Sequence, residues 1–227
     1  MTKMTKMIKT AIFDLDGTLI NSLADLADAT NAGLARMGLP THPAEKYRYF
    51  VGNGARKLCE RVLPEELRTE EKISELQAFF SEEYAKNCLN KTRPYEGIKE
   101  LITNLGKAGV ACAVASNKPD AFSKELISEL FGEGQFALVT GKREGVPVKP
   151  APQIVFNILS ELGAQPDSAV FIGDSSVDVE TAHNAGLECI GCTWGFRGEP
   201  ELRSAGADHI ARSAEDVFEI VMKRQLL

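Results

Sequence analysis

Short apolar runs alternate with amphipathic helical stretches along this chain, and the rhythm is broken only once. Ile8–Phe13, Val110–Ala115, Phe136–Thr140, Ala169–Ile172 and Leu187–Gly191 each read as a buried strand, and a last short run lies near Asp208–Ala211. Between them, Ile98, Leu101, Ile102 and Leu105 share one helix face. Phe122, Leu126 and Leu130 do the same, as do Ile154, Val155, Ile158, Leu159 and Leu162. Ser213 followed by Asp216 predicts a capping box that opens the final helix. Strands this apolar, joined by helices, demand a parallel sheet covered on both faces and wound right-handed. The expectation is an α/β fold with a Rossmann-like, doubly wound parallel sheet.

The break runs from about Asn21 to Lys91, where no strand pattern occurs. Leu23, Leu26, Ala27, Thr30, Leu34 and Met37 recur at helical spacing, and Gly38 and Pro40 close that helix. A second helix is predicted over Ala55–Leu63, stopped by Pro64, and a third after Thr69, with Ile73, Leu76, Phe80 and Tyr84 on one face. The 227 residues suffice for one sizeable core and a smaller domain. The core is therefore expected over residues 1–20 and 93–227, and an inserted all-helical domain over 21–92. The chain would leave and rejoin the core through a two-stranded hinge near Ile20 and Arg93.

The formal net charge of −6 argues against a nucleic acid or an anionic membrane as the main partner. No apolar run approaches the roughly 20 residues of a membrane-spanning helix. Met1–Lys9 carries Lys3, Lys6 and Lys9 without an apolar stretch behind them, so it reads as a lead-in to the first strand, and a cytoplasmic location is expected by default. The five cysteines are odd in number and scattered, which fits reduced thiols. Cys189-x-x-Cys192 has no second pair to complete a zinc site and lies in an apolar run, so core packing is its expected role.

Polar residues gather where the strands end. Asp14, Asp16 and Thr18 follow the first run, Ser116 and Asn117 the second, and Gly173, Asp174 and Asp178 the run Ala169–Ile172. All strand carboxyl ends of a parallel sheet lie along one edge, where ligands bind, so these groups converge. Lys149, in the loop Val146–Pro152, can reach the same edge. Crowded carboxylates repel one another unless a cation neutralises them, and hard oxygen donors suit Mg2+. Carboxylates, a lysine, a hydroxyl and Mg2+ together can hold a phosphoryl group. One carboxylate can then attack phosphorus while another transfers protons. Singly, each feature has a plainer reading: an Asp-Gly turn, a helix N-cap at Asp174–Ser176, a solvated loop lysine. No G-x-S-x-G, Walker A or G-x-G-x-x-G sequence is present, and His42, His183 and His209 lack metal-ligand spacing.

These residues resemble the haloacid dehalogenase superfamily over nearly the whole chain. Asp14-Leu15-Asp16-Gly17-Thr18-Leu19 resembles its first signature, Ser116-Asn117 the second, Lys149-Pro150-Ala151-Pro152 the third and Gly173-Asp174-Ser175-Ser176-Val177-Asp178 the fourth. The resemblance implies Asp14 as nucleophile and metal ligand, and Asp16 as general acid and base that also offers its backbone carbonyl to Mg2+. It implies Asp174 as a further ligand with Asp178 in support. Ser116, Asn117 and Lys149 would hold the phosphoryl group, and Thr18 would orient the Asp14 loop. The aspartate at 16 favours phosphatase over dehalogenase chemistry. The helical insertion matches the superfamily's cap domain, whose closure excludes water.

Val51–Leu58, Arg93–Gly97 and Thr193–Phe196 are similar to the phosphoglycolate phosphatase group. The glycine-flanked loop at Asn53, leading into a helix, suits an anion, and Arg56 is placed to take a glycolate carboxylate in a forked contact. Asn53 and Arg56 are thus substrate-binding candidates. The chain departs from the group at Asn21-Ser22, where many relatives have Asp-Ser. The expected substrate is a small phosphorylated metabolite, 2-phosphoglycolate first. Pyrophosphatase, sugar-phosphate phosphatase and β-phosphoglucomutase-like activities are the alternatives within the superfamily. A catalytically silent metabolite-binding protein is the alternative outside it.

Overall fold

The computed structural model describes residues 7–223; of the expected lead-in, Met1–Lys6 lies outside them. Strand β1 (Thr10–Phe13) is buried along its whole length, as a strand covered on both faces must be. After it, β2 (Ile20–Asn21) pairs antiparallel with β3 (Arg93–Pro94), with Ile20 opposite Pro94 and Asn21 opposite Arg93. The two-stranded ribbon expected there is present.

Everything between β2 and β3 is helix or loop. Helix α1 (Leu23–Arg36) ends where Gly38 adopts φ +69°, a left-handed turn that returns Leu39 N–H to Leu34 O at 2.9 Å. The single turn α2 (Tyr47–Phe50) is not foreseen in the periodicity. It is held by Tyr47, whose hydroxyl donates to Asn31 Oδ1 at 2.7 Å and whose ring meets Phe50 edge-on. Helix α3 (Ala55–Val62) stops before Pro64, and α4 (Glu70–Asn87) starts at Thr69, whose hydroxyl accepts from Lys72 N–H. Helices α1 and α4 pack closely at Gly33, where a Cβ would stand 2.8 Å from Leu76 Cδ1.

The remaining chain alternates as expected: α5 (Ile98–Lys107), β4 (Ala111–Pro119), α6 (Asp120–Phe131), β5 (Leu138–Lys142), α7 (Gln153–Glu161), β6 (Ala169–Gly173), α8 (Ser176–Asn184), β7 (Glu188–Cys192), α9 (Glu199–Ala205), β8 (His209–Ala211) and α10 (Ala214–Lys223). The sheet order is β5-β4-β1-β6-β7-β8, parallel throughout. From β1 the chain steps outward through β4 and β5, then returns to β6 on the other side of β1. The crevice at that switch point lies beyond the ends of β1, β4 and β6. One face of the sheet packs on α5, α6 and α10 through Leu101, Leu126 and Val217. The other packs on α7, α8 and α9 through Ile158, Val179 and Leu202.

β1 and β7 begin two residues and one residue later than the apolar runs, and two further strands differ more. β5 begins at Leu138, because Phe136 leaves the sheet and packs edge-on against Phe131 at the end of α6. β4 runs on through Ser116, Asn117 and Lys118 to Pro119, with its register against β5 shifting between Ala115 and Pro119. Polar residues continue the strand there because the site, not water, receives them. At the final helix, Ser213 Oγ accepts from Asp216 N–H, while the Asp216 carboxylate accepts from Arg212 N–H, one residue before the position a capping box uses. All five cysteines are free and buried. Cys189 and Cys192 are three apart on β7, so they face opposite layers of the core, and burial pushes both thiols well above their usual pKa. No helix among the described residues is long and apolar enough to cross a membrane.

Asp25 of α1 fastens the helical segment to the returning chain. Its buried carboxylate accepts from Lys91 N–H, Thr92 N–H and the Thr92 hydroxyl, at 2.7 to 3.0 Å. Asp25→Ala strands these donors and is expected to lower stability by about 3 kcal/mol, the scale for buried donors that lose a charged acceptor. Urea unfolding checks it; a loss below about 1 kcal/mol would show that water replaces the carboxylate.

Candidate active site

Asp14 leaves the end of β1 with its amide bonded to Ile172 O at 2.8 Å, which fixes it beside β6. Lys149 reaches it from the loop between β5 and α7. The lysine is only 2% exposed, and its Nζ donates to Asp14 Oδ1 and to Asp178 Oδ1, both at 2.7 Å. Asn117 holds that loop: its Oδ1 accepts from Lys149 N–H at 2.8 Å, and its Nδ2 donates to Lys149 O and to Gly52 O, each at 3.0 Å. The Ser116 hydroxyl accepts from Lys118 N–H at 3.2 Å and lines the crevice beside Asp14.

Asp178 stands in the first turn of α8. It accepts from Asp174 N–H, Ser175 N–H and the Ser175 hydroxyl while it pairs with Lys149. Asp174 accepts from the Thr18 hydroxyl at 3.4 Å and from Phe196 N–H at 2.7 Å. Thr18 therefore reaches across to β6, and Phe196, at the end of the Thr193–Phe196 segment singled out in the sequence, supplies a backbone amide to which the sequence assigns no site role. Carboxylate oxygens of Asp14, Asp174 and Asp178 all lie within 4.8 Å of one another.

Glycines make this crowding possible. A Cβ on Gly195 would stand 2.3 Å from Asp174 Cβ, one on Gly173 2.3 Å from Asp178 Cβ, and one on Gly17 2.4 Å from Asp174 Oδ2. Burial drives the Asp14 carboxyl up to about 7, against the pull of Lys149, with the Asp178 charge adding to the rise. Burial, then Asp178 and Asp14, raises Asp174 well above the usual carboxylate range. One lysine does not balance three buried carboxylates. The donors are hard oxygens on a small pocket, so the trio fits a divalent cation of the magnesium type.

Asp16 lies outside this trio. Its carboxylate accepts from the Ser22 hydroxyl and from Lys118 Nζ, the latter at 2.9 and 3.1 Å. Asn21 is exposed, and its side-chain oxygen accepts from Leu23 N–H at 3.4 Å. Lys118 was not a candidate in the sequence. Its one signal was its place directly after Ser116-Asn117, and only the extension of β4 turns it into the site. Burial would lower its pKa, but the adjoining Asp16 charge outweighs that, and the ammonium stays charged.

Asp14, Asp16, Ser116 and Lys118 line one side of a cavity of about 90 Å3; Gly52, Leu58, Phe80 and Tyr84 of the helical segment line the other. Asn53 and Arg56 are not in that lining. Asn53 Oδ1 accepts from Arg61 Nη2 at 2.8 Å, and Arg56 forms an exposed ion pair with Glu70. The faces of α3 explain this: Ala55 and Leu58 turn inward, and Arg56 turns toward the first turn of α4. The loop meets the cavity through the backbone at Gly52 and Gly54 instead.

A doubly wound sheet with an acidic trio at its switch point, a buried lysine between the acids and a helical segment opposite defines a hydrolase class built on carboxylates. Residues 11–192 match the haloacid dehalogenase-like hydrolase family, and the chain belongs to it. Within the family its likeness is to phosphoglycolate phosphatases. It is 33% identical to the phosphoglycolate phosphatase of Mannheimia succiniciproducens, over 96% of this chain and 100% of that one. It is 31% identical to that of Haemophilus influenzae, over 91% and 95%. Among solved structures, a putative phosphoglycolate phosphatase from Lactobacillus delbrueckii subsp. bulgaricus superposes with a TM-score of 0.90 at 33% identity, covering 95% of this chain and 98% of that one.

The raised carboxyls give a pH signature. Unfolded, Asp14 loses its proton near 3.8; folded without a cation, it keeps it to about 7. Its stabilising contribution is thus complete below 3.8 and is lost as pH rises toward 7. In chelator, the melting temperature is expected to be lower at pH 7.5 than at pH 5. Mg2+ should raise it more at pH 7.5, where fewer protons compete for the carboxylates. An equal rise at both pH values would exclude these carboxylates as the ligands.

Proposed function

We propose that this protein is a Mg2+-dependent phosphatase of small phosphate monoesters, 2-phosphoglycolate above all, working through an aspartyl phosphate on Asp14. The observation that carries the reading is the Asp14–Lys149–Asp178 contact at the sheet edge, with Asp16 and a small cavity beside it. Bound Mg2+, held by Asp14 and Asp174 with Asp178 in support, would neutralise charge on the phosphoryl group. Lys149 orients Asp14 and adds a second positive charge, and the Ser116 hydroxyl can donate to a phosphoryl oxygen.

Asp14 then attacks phosphorus, the ester P–O bond breaks, and Asp16 passes its proton to the departing oxygen. Asp16, now a carboxylate, takes a proton from water as that water attacks the acyl phosphate. Inorganic phosphate leaves and Asp14 is restored. Residues 21–92 serve as a cap over the core of 1–20 and 93–227, hinged at β2 and β3 and closed over the substrate during turnover. Asn117, which bonds Gly52 O and Lys149 O together, links cap closure to the lysine loop.

The cavity volume of about 90 Å3 favours a small leaving group over a sugar, since sites for drug-sized ligands span roughly 300–1,000 Å3. The names of the relatives agree with this preference.

Phosphate release from a panel of esters, with Mg2+ or chelator, tests the reading. 2-Phosphoglycolate should give the highest kcat/KM, and chelator should stop turnover. A sugar phosphate or pyrophosphate preferred more than tenfold would replace the substrate, and dependence on an acceptor would indicate a mutase. Asp14→Asn should reduce kcat by at least about a thousandfold, the scale for loss of a covalent nucleophile. Near-normal turnover would remove Asp14 from that role. Asp16→Asn should slow both chemical steps, each by about a hundredfold or more, since one group moves both protons.

A further inference from the structure

The cavity beside Asp14 has a charged wall that the chemistry at phosphorus does not use. Among the residues that line it, Lys118 is the sole cation. The side chain is 7% exposed, so its ammonium is held out of water. An ammonium carries three N–H donors. Those of Lys118 have one carboxylate partner, Asp16, at 2.9 and 3.1 Å, and Nζ also stands 4.7 Å from the centroid of the Tyr84 ring. Tyr84 comes from α4, on the opposite side of the cavity, and is 1% exposed. Its hydroxyl faces the Lys118 ammonium in a contact outside normal hydrogen-bond geometry and has no other partner among the described residues. A buried hydroxyl left with so loose a contact is costly, and natural proteins keep few of them. An ammonium with donor capacity to spare and a neighbouring hydroxyl whose own proton the ammonium leaves free, both lining one small cavity, are the groups that receive an anion.

Their position relative to Asp16 defines which anion. Under the reading above, Asp16 protonates the oxygen that leaves phosphorus. Lys118 is in direct contact with Asp16, so an anion held by Lys118 must lie next to that oxygen. An ester whose carboxylate is carried on the carbon bonded to the leaving oxygen meets this condition, and 2-phosphoglycolate is the smallest.

We propose that Lys118 and the Tyr84 hydroxyl form the subsite for the carboxylate of the leaving group, and so select 2-phosphoglycolate-type esters. This takes the place of Arg56, which lies outside the cavity, and it rests on the phosphatase reading. Because Lys118 belongs to the core and Tyr84 to the helical segment, a bound carboxylate would bridge the two and favour the closed arrangement.

The experiment compares kcat/KM for 2-phosphoglycolate and for ethyl phosphate, which has the same chain length and no carboxylate. The readout is the ratio of the two. In Lys118→Met this ratio is expected to fall about a hundredfold, as when one partner of a buried charge pair is removed, mostly through KM for 2-phosphoglycolate. Tyr84→Phe removes only a buried hydroxyl in loose contact with Lys118 and should fold normally; its ratio is expected to fall about tenfold, the scale for one hydrogen bond to a charged group. If Lys118→Met lowers both esters in parallel, Lys118 serves only to hold Asp16 and the assignment is wrong. An unchanged ratio in both variants also overturns it. If Lys118→Met fails to fold, Tyr84→Phe decides alone, and an unchanged ratio there overturns the assignment. A wild-type protein that hydrolyses ethyl phosphate as well as 2-phosphoglycolate would refute this subsite and leave the phosphatase reading standing. One that hydrolyses no ester would end both.

Discussion

The bridge that Lys149 makes between Asp14 and Asp178 is the contact around which the site is assembled. It joins the end of β1, the loop before α7 and the first turn of α8, with both bonds at 2.7 Å and the ammonium out of water. A buried ion pair of this kind gains little net stability, since desolvation offsets most of the attraction. What it supplies is orientation: three backbone segments can meet only if the lysine lies between the carboxylates. Asn117 reinforces this by clasping the Lys149 backbone on both its N–H and its C=O.

Around that bridge, negative charge is concentrated beyond what the lysine balances. The raised pKa of Asp14 and of Asp174 expresses it, and burial is the first cause of both. Such frustration is retained where it serves a ligand. The glycines at 17, 173 and 195 belong to the same arrangement, because any side chain there would occupy the volume of Asp174 or Asp178. The loop after β7 thus has a structural part in the site. Gly195 makes room for Asp174, Phe196 N–H bonds it, and Trp194 Nε1 donates to Thr18 O at 3.1 Å.

The helical segment and the sheet meet through hydrogen bonds at their backbones as well as through apolar packing. Arg48 donates to Gly195 O, Arg197 to Val51 O, and Asn117 to Gly52 O, at 3.0 to 3.2 Å. The edge contact of Tyr84 with Phe122, with ring centroids 5.4 Å apart, adds an aromatic contact between α4 and α6. Leu26, Leu58, Phe80 and Tyr84 of the helical segment belong to the same buried cluster as Phe13, Leu101 and Leu126 of the sheet and its helices.

The order of strands and helices, the inserted helical stretch and the convergence of Asp14, Ser116, Lys149, Asp174 and Asp178 were all legible in the sequence. They rest on hydrophobic period and on the rule that parallel strands end at one edge, which are local facts about the chain. Arg56 and Lys118 show where that legibility stops. An arginine after a glycine-flanked loop suggests an anion site, yet the turn of α3 carries it to Glu70 at the surface. A lysine after Ser116-Asn117 carries no periodic signal, yet the prolonged β4 and its shifted register bring it beside Asp16. The sequence by itself determined which segments become strands and helices and which strand ends bear acids. Only the tertiary structure decided which cation faces the cavity, because a side chain's direction depends on a helix face and a strand register that distant contacts set.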